Sequence, residues 1–383
     1  MNKNQCLVGG YVEEIRDALI ASAVSRVGVY LLGAPGGGKS ACAKAFGRQM
    51  YGKRGKDWCF IEFSPATQEQ RVEGVLDYQA WFKDSKYSLV KTGTPSDPGI
   101  GMVVADEMSR ANESIHDLFM TTMDEWELEH RGTQLIATGN FLPTGDRAEA
   151  FLDRIGLYIW LGENGYDVKD VSRAQMRAQH DDLDLPNFPI TMWKEVEDAR
   201  KATPTEKAVE AVAEFVGLLS ETAVKGLQDT SGSIVRQYPY PNKRRITTWT
   251  RILDKATTLY SGTADFDQVH PMAIKALQYS WVLKSQEEAR DWRSIISLIA
   301  DPTQAAVDAV MAVAYQAVKQ AADSASERIG KVEAMQKELN QALANVASIP
   351  GVTMDSPIYR QCNADLVAAL GQYIRKDEGK GVE

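Results

Sequence analysis

Cysteine and histidine are scarce in this sequence. Four cysteines (Cys6, Cys42, Cys59 and Cys362) are spread over 383 residues with no CxxC pair, and the four histidines (His116, His130, His180 and His270) are equally scattered. A disulfide framework and a zinc site are both unsupported, and a reducing compartment fits. Long apolar runs are missing too. No window reaches the ~18 consecutive apolar residues of a membrane-spanning helix, and the opening MNKNQCLVGGYVEEIRD carries no apolar core of signal-peptide length. No membrane insertion is expected, and the expected address is cytoplasmic. Positive charge is not in excess either. Lys plus Arg is 43 and Asp plus Glu is 52, a formal net charge of −9. That balance argues against broad coating of nucleic acid or anionic membrane.

What is present is the composition of a soluble globular chain, 44% apolar and 25% charged, long enough for two or three domains. Residues 11–26 place Val12, Ile15, Leu19 and Ala23 at helical spacing, which predicts an amphipathic helix. The apolar runs VGVYLL (27–32), WCFIEF (58–63), MVVAD (102–106), QLIAT (134–138) and LYIWL (157–161) show little alternation, as strands buried on both faces of a parallel sheet should. Helical patterns over 39–51, 113–126 and 146–154 separate them. Residues 1–162 therefore read as an α/β domain with a five-stranded parallel sheet and helices on both faces. Residues 163–204 are polar and interrupted and read as a linker, 205–290 as an all-helical domain, and 291–383 as a C-terminal helical region with a mobile tail. Within the last region, apolar residues from Val307 to Val346 recur in steps of four and three with no proline. This predicts a coiled coil or a long helical hairpin, with Gly330 the place for a bend.

Chemistry concentrates in three places. Gly33-Ala34-Pro35-Gly36-Gly37-Gly38-Lys39-Ser40 matches GxxxxGK[ST] between an expected strand and an expected helix, the context that makes the match a P-loop. Its glycines let backbone N–H groups line an anion-sized nest, and the helix start at Ser40 and Ala41 adds positive dipole. Lys39 would reach the β- and γ-phosphates of ATP, and Ser40 would ligate Mg2+. The second place is Asp106-Glu107, at the end of an apolar strand about 67 residues beyond Lys39. Asp106 there can hold Mg2+ and Glu107 can polarise the attacking water. The third is Gly139-Asn140, where a polar side chain at a strand end would stand beside the γ-phosphate.

GAPGGGKS, VVADEMSRAN, IATGNFLPTGDRAEAFLDRI and PNKRRITTWTRIL, in that order, resemble the MoxR branch of AAA+ ATPases, and most of all its RavA-type members. The likeness runs over roughly residues 6–290. It implies an AAA+ fold with an all-α lid, ATP with Mg2+, and a homo-oligomeric, usually hexameric, ring. It also implies roles for matching residues: Val8-Gly9 as an adenine-side loop, Asn140 as sensor 1, Arg154 as an arginine finger given to a neighbouring subunit, and Arg244 as sensor 2, with Arg245 the alternative. Family members act with a protein carrying a von Willebrand A (VWA) domain, so such a partner, or another protein client to be remodelled or matured, is implied. A nucleic-acid-associated or defence-system NTPase motor is the alternative function. Three features depart from the family pattern. Ile246 stands where relatives place Trp, the segment WELEHRGT (126–133) is short, and the C-terminal region has no counterpart. Tyr78, Trp81, Phe82 and Tyr87 cluster in the segment between the second and third strands. They would either grip a substrate from an axial loop or pack onto their own domain.

Overall fold

The structure, a computed structural model, describes residues 14–51, 57–85, 87–128, 133–161, 190–228, 234–282, 285–324, 328–349 and 352–378. Two compact units divide the chain, one ending at Ile296 and the other starting at Ser297.

The first unit is built on a parallel sheet of β1 (Gly28–Leu32), β2 (Trp58–Glu62), β3 (Met102–Asp106), β4 (Gln134–Gly139) and β5 (Ile155–Trp160), in the order β2-β3-β4-β1-β5. This is the AAA+ α/β fold. The three inner strands β3, β4 and β1 are buried along their whole length, which is why their sequences run apolar without alternation. The last strand starts two residues before the expected LYIWL run, because helix α4 (Asp146–Arg154) ends directly into it. Tyr30 and Leu32 pack with Phe119, Trp126 and Phe151 from α3 (Glu113–Leu128) and α4. Val29 and Leu31 point the other way by strand alternation, toward the face covered by α1 (Glu14–Ser25) and α2 (Lys39–Met50).

Helix α1 departs from expectation. Ala18, Leu19, Ile20, Ala21, Ala23 and Val24 are all buried, so the helix is covered nearly all round rather than amphipathic. Its other neighbours are α5 (Ile190–Lys201), α7 (Lys243–Ser261) and α8 (Pro271–Leu277), so it lies between sheet and lid. The polar stretch read as a linker thus contains a helix, α5. Its Arg200 donates to the Ala23 carbonyl through Nε and Nη2.

The lid adds α6 (Glu206–Lys225) and the first part of α9 (Gln286–Ala300) to α7 and α8. Caps fix the helix starts: Thr205 Oγ1 accepts from Ala208 N, Asn242 Oδ1 from Arg245 N, and His270 Nδ1 from Met272 N. Trp249, Trp281, Trp292 and Tyr238 form its centre, with Tyr238 and Trp292 ring centroids 5.0 Å apart. The expected all-helical character is broken by a short antiparallel pairing of 227–228 with 234–236. Lid and sheet meet at Gly156, where an added Cβ would lie 1.9 Å from Val27 Cγ1 and 2.8 Å from Thr248 Cγ2. Beside it the buried Arg245 guanidinium donates to the Ser280 carbonyl at 2.9 Å and to Ile155 and Gly156 carbonyls at 3.4 Å.

Between β2 and β3, a helix at Tyr78–Asp84 is capped by Asp77, and 75–76 pairs antiparallel with 89–90. Tyr78, Trp81, Phe82 and Tyr87 do not pack onto the domain. They are between 46% and 78% exposed and touch one another, Tyr78 stacked on Phe82 and Trp81 edge-on to Tyr87.

In the second unit the four–three repeat closes on itself. Helices α10 (Pro302–Ser324) and α11 (Arg328–Ala347) form a hairpin, and α12 (Pro357–Glu378) packs against both. Val307, Met311, Ala314, Leu339, Ala342, Val346, Cys362 and Leu366 are its core. Gly330, the expected place for a bend, falls in the first turn of α11.

Candidate nucleotide site

The loop after β1 turns on two left-handed glycines, Gly36 at φ 79° and Gly38 at φ 77°. A Cβ added at either would meet nothing within 4 Å. The constraint there is therefore backbone conformation plus an open concavity. Gly37 N donates to the Ala34 carbonyl at 3.1 Å, which folds Ala34 and Pro35 over the turn. Helix α2 starts at Lys39 from Gly38 with no side-chain cap, so its first N–H groups face that concavity as anion donors. Ala41 lies exposed in the same first turn.

Strand order decides what stands opposite. Because β4 lies between β1 and β3, the ends of β3 and β4 both face the P-loop. Lys39 is buried, with 5% exposed, and its Nζ donates to Gly33 and Ala34 carbonyls at 2.9 Å and to Asn140 Oδ1 at 2.8 Å. Burial lowers its pKa from the ordinary lysine value, and the carboxylates of Glu107 and Asp106 offset part of that. Ser40 Oγ donates to Asp106 Oδ1 at 2.6 Å. Thr138 Oγ1 donates to the same oxygen at 2.7 Å and accepts the Glu107 N–H at 3.1 Å. Glu107 itself has φ 56°, a left-handed conformation uncommon for a non-glycine residue. The turn that follows it is braced by His116, whose Nε2 lies 3.3 Å from the Met108 carbonyl and whose ring stacks on Phe151. Burial lowers the His116 pKa, so Nε2 donates from a neutral ring.

Lys39, Ser40, Asp106, Glu107 and Asn140, far apart in the sequence, thus come together at one sheet edge. Arg154 and Arg244 do not join them. Arg154 precedes β5, and Ile155 pairs with Gly28 at the start of β1. Five residues at ~3.3 Å each put that edge roughly 16 Å from the P-loop end. Arg154 Nε and Nη2 donate to the two carboxylate oxygens of Asp124 at 3.1 and 2.8 Å, and this pairing raises its pKa. Arg244 Nη1 donates to Asp153 Oδ2 at 2.8 Å, beside Arg154. Burial works to raise the Asp153 pKa, but its bonds from Asn242 and Arg244 outweigh this and hold it low. Arg245 is buried in the joint between lid and sheet. Val8 and Gly9 lie outside the described residues. No motif singles out Thr138 or His116. A hydroxyl inside the apolar run QLIATG is the one signal for Thr138, and His116 carries none.

No family model matches the sequence. Among solved structures, a candidate ATPase from Cytophaga hutchinsonii resembles the chain with a TM-score of 0.52 at 19% identity, over 76% of this chain and 89% of that one. The C. elegans protein PCH-2 aligns at 14% identity and a TM-score of 0.25, over 62% of this chain and 66% of its own length.

Proposed function

We propose that this protein is a MoxR-like ATPase. It binds ATP with Mg2+ at the P-loop, hydrolyses it in a ring of identical subunits, hexameric as in the family it resembles, and uses the cycle to remodel or mature a protein partner. One observation carries the reading. The P-loop lysine, the Ser40–Asp106 pair, Glu107 and Asn140 occupy one sheet edge around an open glycine-lined nest. The donor set fits the ligand: backbone N–H groups and Lys39 for phosphate oxygens, and a hydroxyl with a carboxylate for a hard divalent cation that keeps most of its other sites for water and phosphate. Mg2+ supplies neutralisation of phosphate charge when bound.

The chain's own residues account for the rest. Lys39 binds phosphoryl oxygens with a charge already desolvated, which strengthens the contact. Thr138 holds Asp106 and the Glu107 backbone in one geometry, which leaves the Glu107 carboxylate to take a proton from water. Asn140 orients that water from the end of β4. Arg154 stands too far from its own P-loop to serve it, so as an arginine finger it acts on the nucleotide of a neighbouring subunit, and Arg244 works from the same edge. The partner is a VWA-domain protein or another protein client. A nucleic-acid motor is the weaker reading, given a net charge of −9.

The direct test is phosphate release by the purified full-length chain, with ATP against GTP and with Mg2+ against a chelator, alongside light scattering with and without nucleotide. Magnesium-dependent turnover and nucleotide-promoted assembly support the proposal. Absence of turnover in an assembled, nucleotide-bound protein refutes it.

A further inference from the structure

Tyr30 belongs to β1, the strand that runs into the P-loop, and it is fully buried. It pairs with Ala137 on β4, two residues short of Gly139. By strand alternation Ala137 and Gly139 share the face on which Tyr30 stands, and both are small. The ring can therefore rise along that face toward the end of β4. Its oxygen arrives where a side chain of residue 139 would have been. A Cβ added at Gly139 would lie 2.5 Å from Tyr30 Oη and 3.0 Å from both the Phe141 carbonyl oxygen and Ser109 Oγ. The bare glycine lets a phenol on β1 cross β4 and meet the turn that follows β3.

Both loops reached in this way carry a group of the nucleotide site. Tyr30 Oη donates to the Phe141 carbonyl at 3.4 Å, one residue beyond Asn140. Ser109, two residues beyond Glu107, lies in the turn Met108–Arg110, and its hydroxyl and backbone N–H face the phenol oxygen. Ser109 Oγ is buried and has no well-formed hydrogen bond, a costly state for a hydroxyl. Glu107 opens the same turn at φ 56°, so the turn leans on its neighbours rather than on its own bonds. Burial raises the Tyr30 pKa, bonds from Ser109 offset only part of that, and Tyr158 and Glu107 add to the rise. The phenol therefore keeps its proton at neutral pH and remains a donor. Its reach to Phe141 is longer than the ~2.7–2.8 Å of a fully formed O–H···O bond, so a small shift of the Asn140 loop strengthens or breaks it.

We propose that Tyr30 is a positioning residue for hydrolysis: its phenol, seated between the Ser109 turn and the Phe141 carbonyl, sets the separation of Glu107 from Asn140. That separation fixes where the attacking water can stand. Tyr30 is sealed beneath both loops and acts through them, so it serves the reaction step rather than nucleotide binding, which belongs to the P-loop. The inference rests on the ATPase reading and adds to it a residue that no motif marks.

The experiment measures steady-state turnover of ATP with Mg2+ by the full-length chain and its variants Tyr30→Phe, Ser109→Ala and the double variant. Tyr30→Phe keeps the ring and its packing and removes only the hydroxyl. Its kcat should fall about tenfold, within what a sub-ångström to 1 Å misplacement can cost. KM and nucleotide affinity, the latter read by fluorescence titration, should hold within about twofold, the pattern of a loss confined to the transition state. Ser109→Ala should lower kcat in the same direction. The double variant should be no slower than Tyr30→Phe alone, because the two side chains act through one contact. If Tyr30→Phe folds poorly, Ser109→Ala carries the test through the same split between kcat and KM. Unchanged kcat in a folded Tyr30→Phe chain overturns the inference, as does a rise in KM with kcat intact, or fully additive losses in the double variant. These failures, seen beside an active wild-type chain, leave the ATPase reading standing. A wild-type chain that assembles and binds nucleotide without turnover overturns both.

Discussion

Thr138 gives its hydroxyl proton to Asp106 Oδ1 across 2.7 Å, and the Thr138 oxygen in turn receives the N–H of Glu107, the first residue beyond β3. A single side chain on β4 therefore sets both the carboxylate expected to hold the cation and the backbone that aims Glu107. Thr138→Val preserves shape and removes both bonds. Stability should fall by about 1–3 kcal/mol, the usual range for stranding buried polar groups. Turnover should fall tenfold or more, since a ~1 Å misplacement at a reacting centre can cost ~10²-fold. Thr138→Ser should recover most of both. Chemical denaturation and steady-state ATPase assays read the two effects separately.

Glu107→Gln keeps the side chain's shape and loses its basicity. Turnover should drop by ~10² or more if the carboxylate works as a general base. Nucleotide affinity, read by fluorescence titration, should hold within a few fold. Wild-type turnover in this variant would remove Glu107 from the mechanism.

Arg154 is expected to work across a subunit boundary. Arg154→Ala should lose ATPase activity yet bind nucleotide, and Lys39→Ala should lose both. Mixed rings of the two contain some boundaries with an intact P-loop facing an intact finger, so activity should partly return. Verified mixed rings with no return of activity would place Arg154 outside the reaction.

Acid sensitivity should trace in part to His116. Its folded pKa lies below the ordinary 6.5, so the folded chain binds fewer protons than the unfolded one between those values. Stability is then fully present above about 6.5 and declines as pH falls from there toward the folded pKa. His270, whose Nδ1 accepts the Met272 N–H, shifts in the same direction through burial. The melting temperature should drop between pH 7.5 and 5.5, and less steeply in His116→Leu. An equal slope in the variant would assign the sensitivity to other groups.

Trp292 sits at the centre of the lid, fully buried, with its indole N–H donated to the Leu277 carbonyl at 2.8 Å. Trp292→Ala should cost about 3–5 kcal/mol. Circular dichroism melts and tryptophan fluorescence would register the loss, and a cost under 1 kcal/mol would contradict the packing described.

Residues whose chemistry depends on near neighbours are legible in the sequence alone. Gly33 to Ser40 carry their own turn, nest and helix start in eight positions, and Asp106-Glu107 end a strand whose burial is written in its apolar run. What depends on distant partners is not legible there. Thr138 acquires a role only when β4 slots beside β3, and Asp124 only when α3 reaches Arg154. Helix α1 reads as amphipathic because α5, the element that helps cover its second side, is hidden in a polar stretch. In the C-terminal unit, by contrast, the spacing of apolar residues already marks the buried stripe while leaving coiled coil and hairpin open, and the fold closes it as a hairpin with a third helix against it.

Gly156 leaves no clearance between β5 and Thr248, and Arg245 pins the same spot through three carbonyls. The first turns of α7 are therefore a fulcrum. A tilt of the lid about that point would displace the helix more the farther along it one goes. Nineteen residues make α7 roughly 28 Å long, so each degree of tilt carries Ser261 about half an ångström. A rotation of about ten degrees at the fulcrum would swing the far end by about 5 Å, one full helical turn.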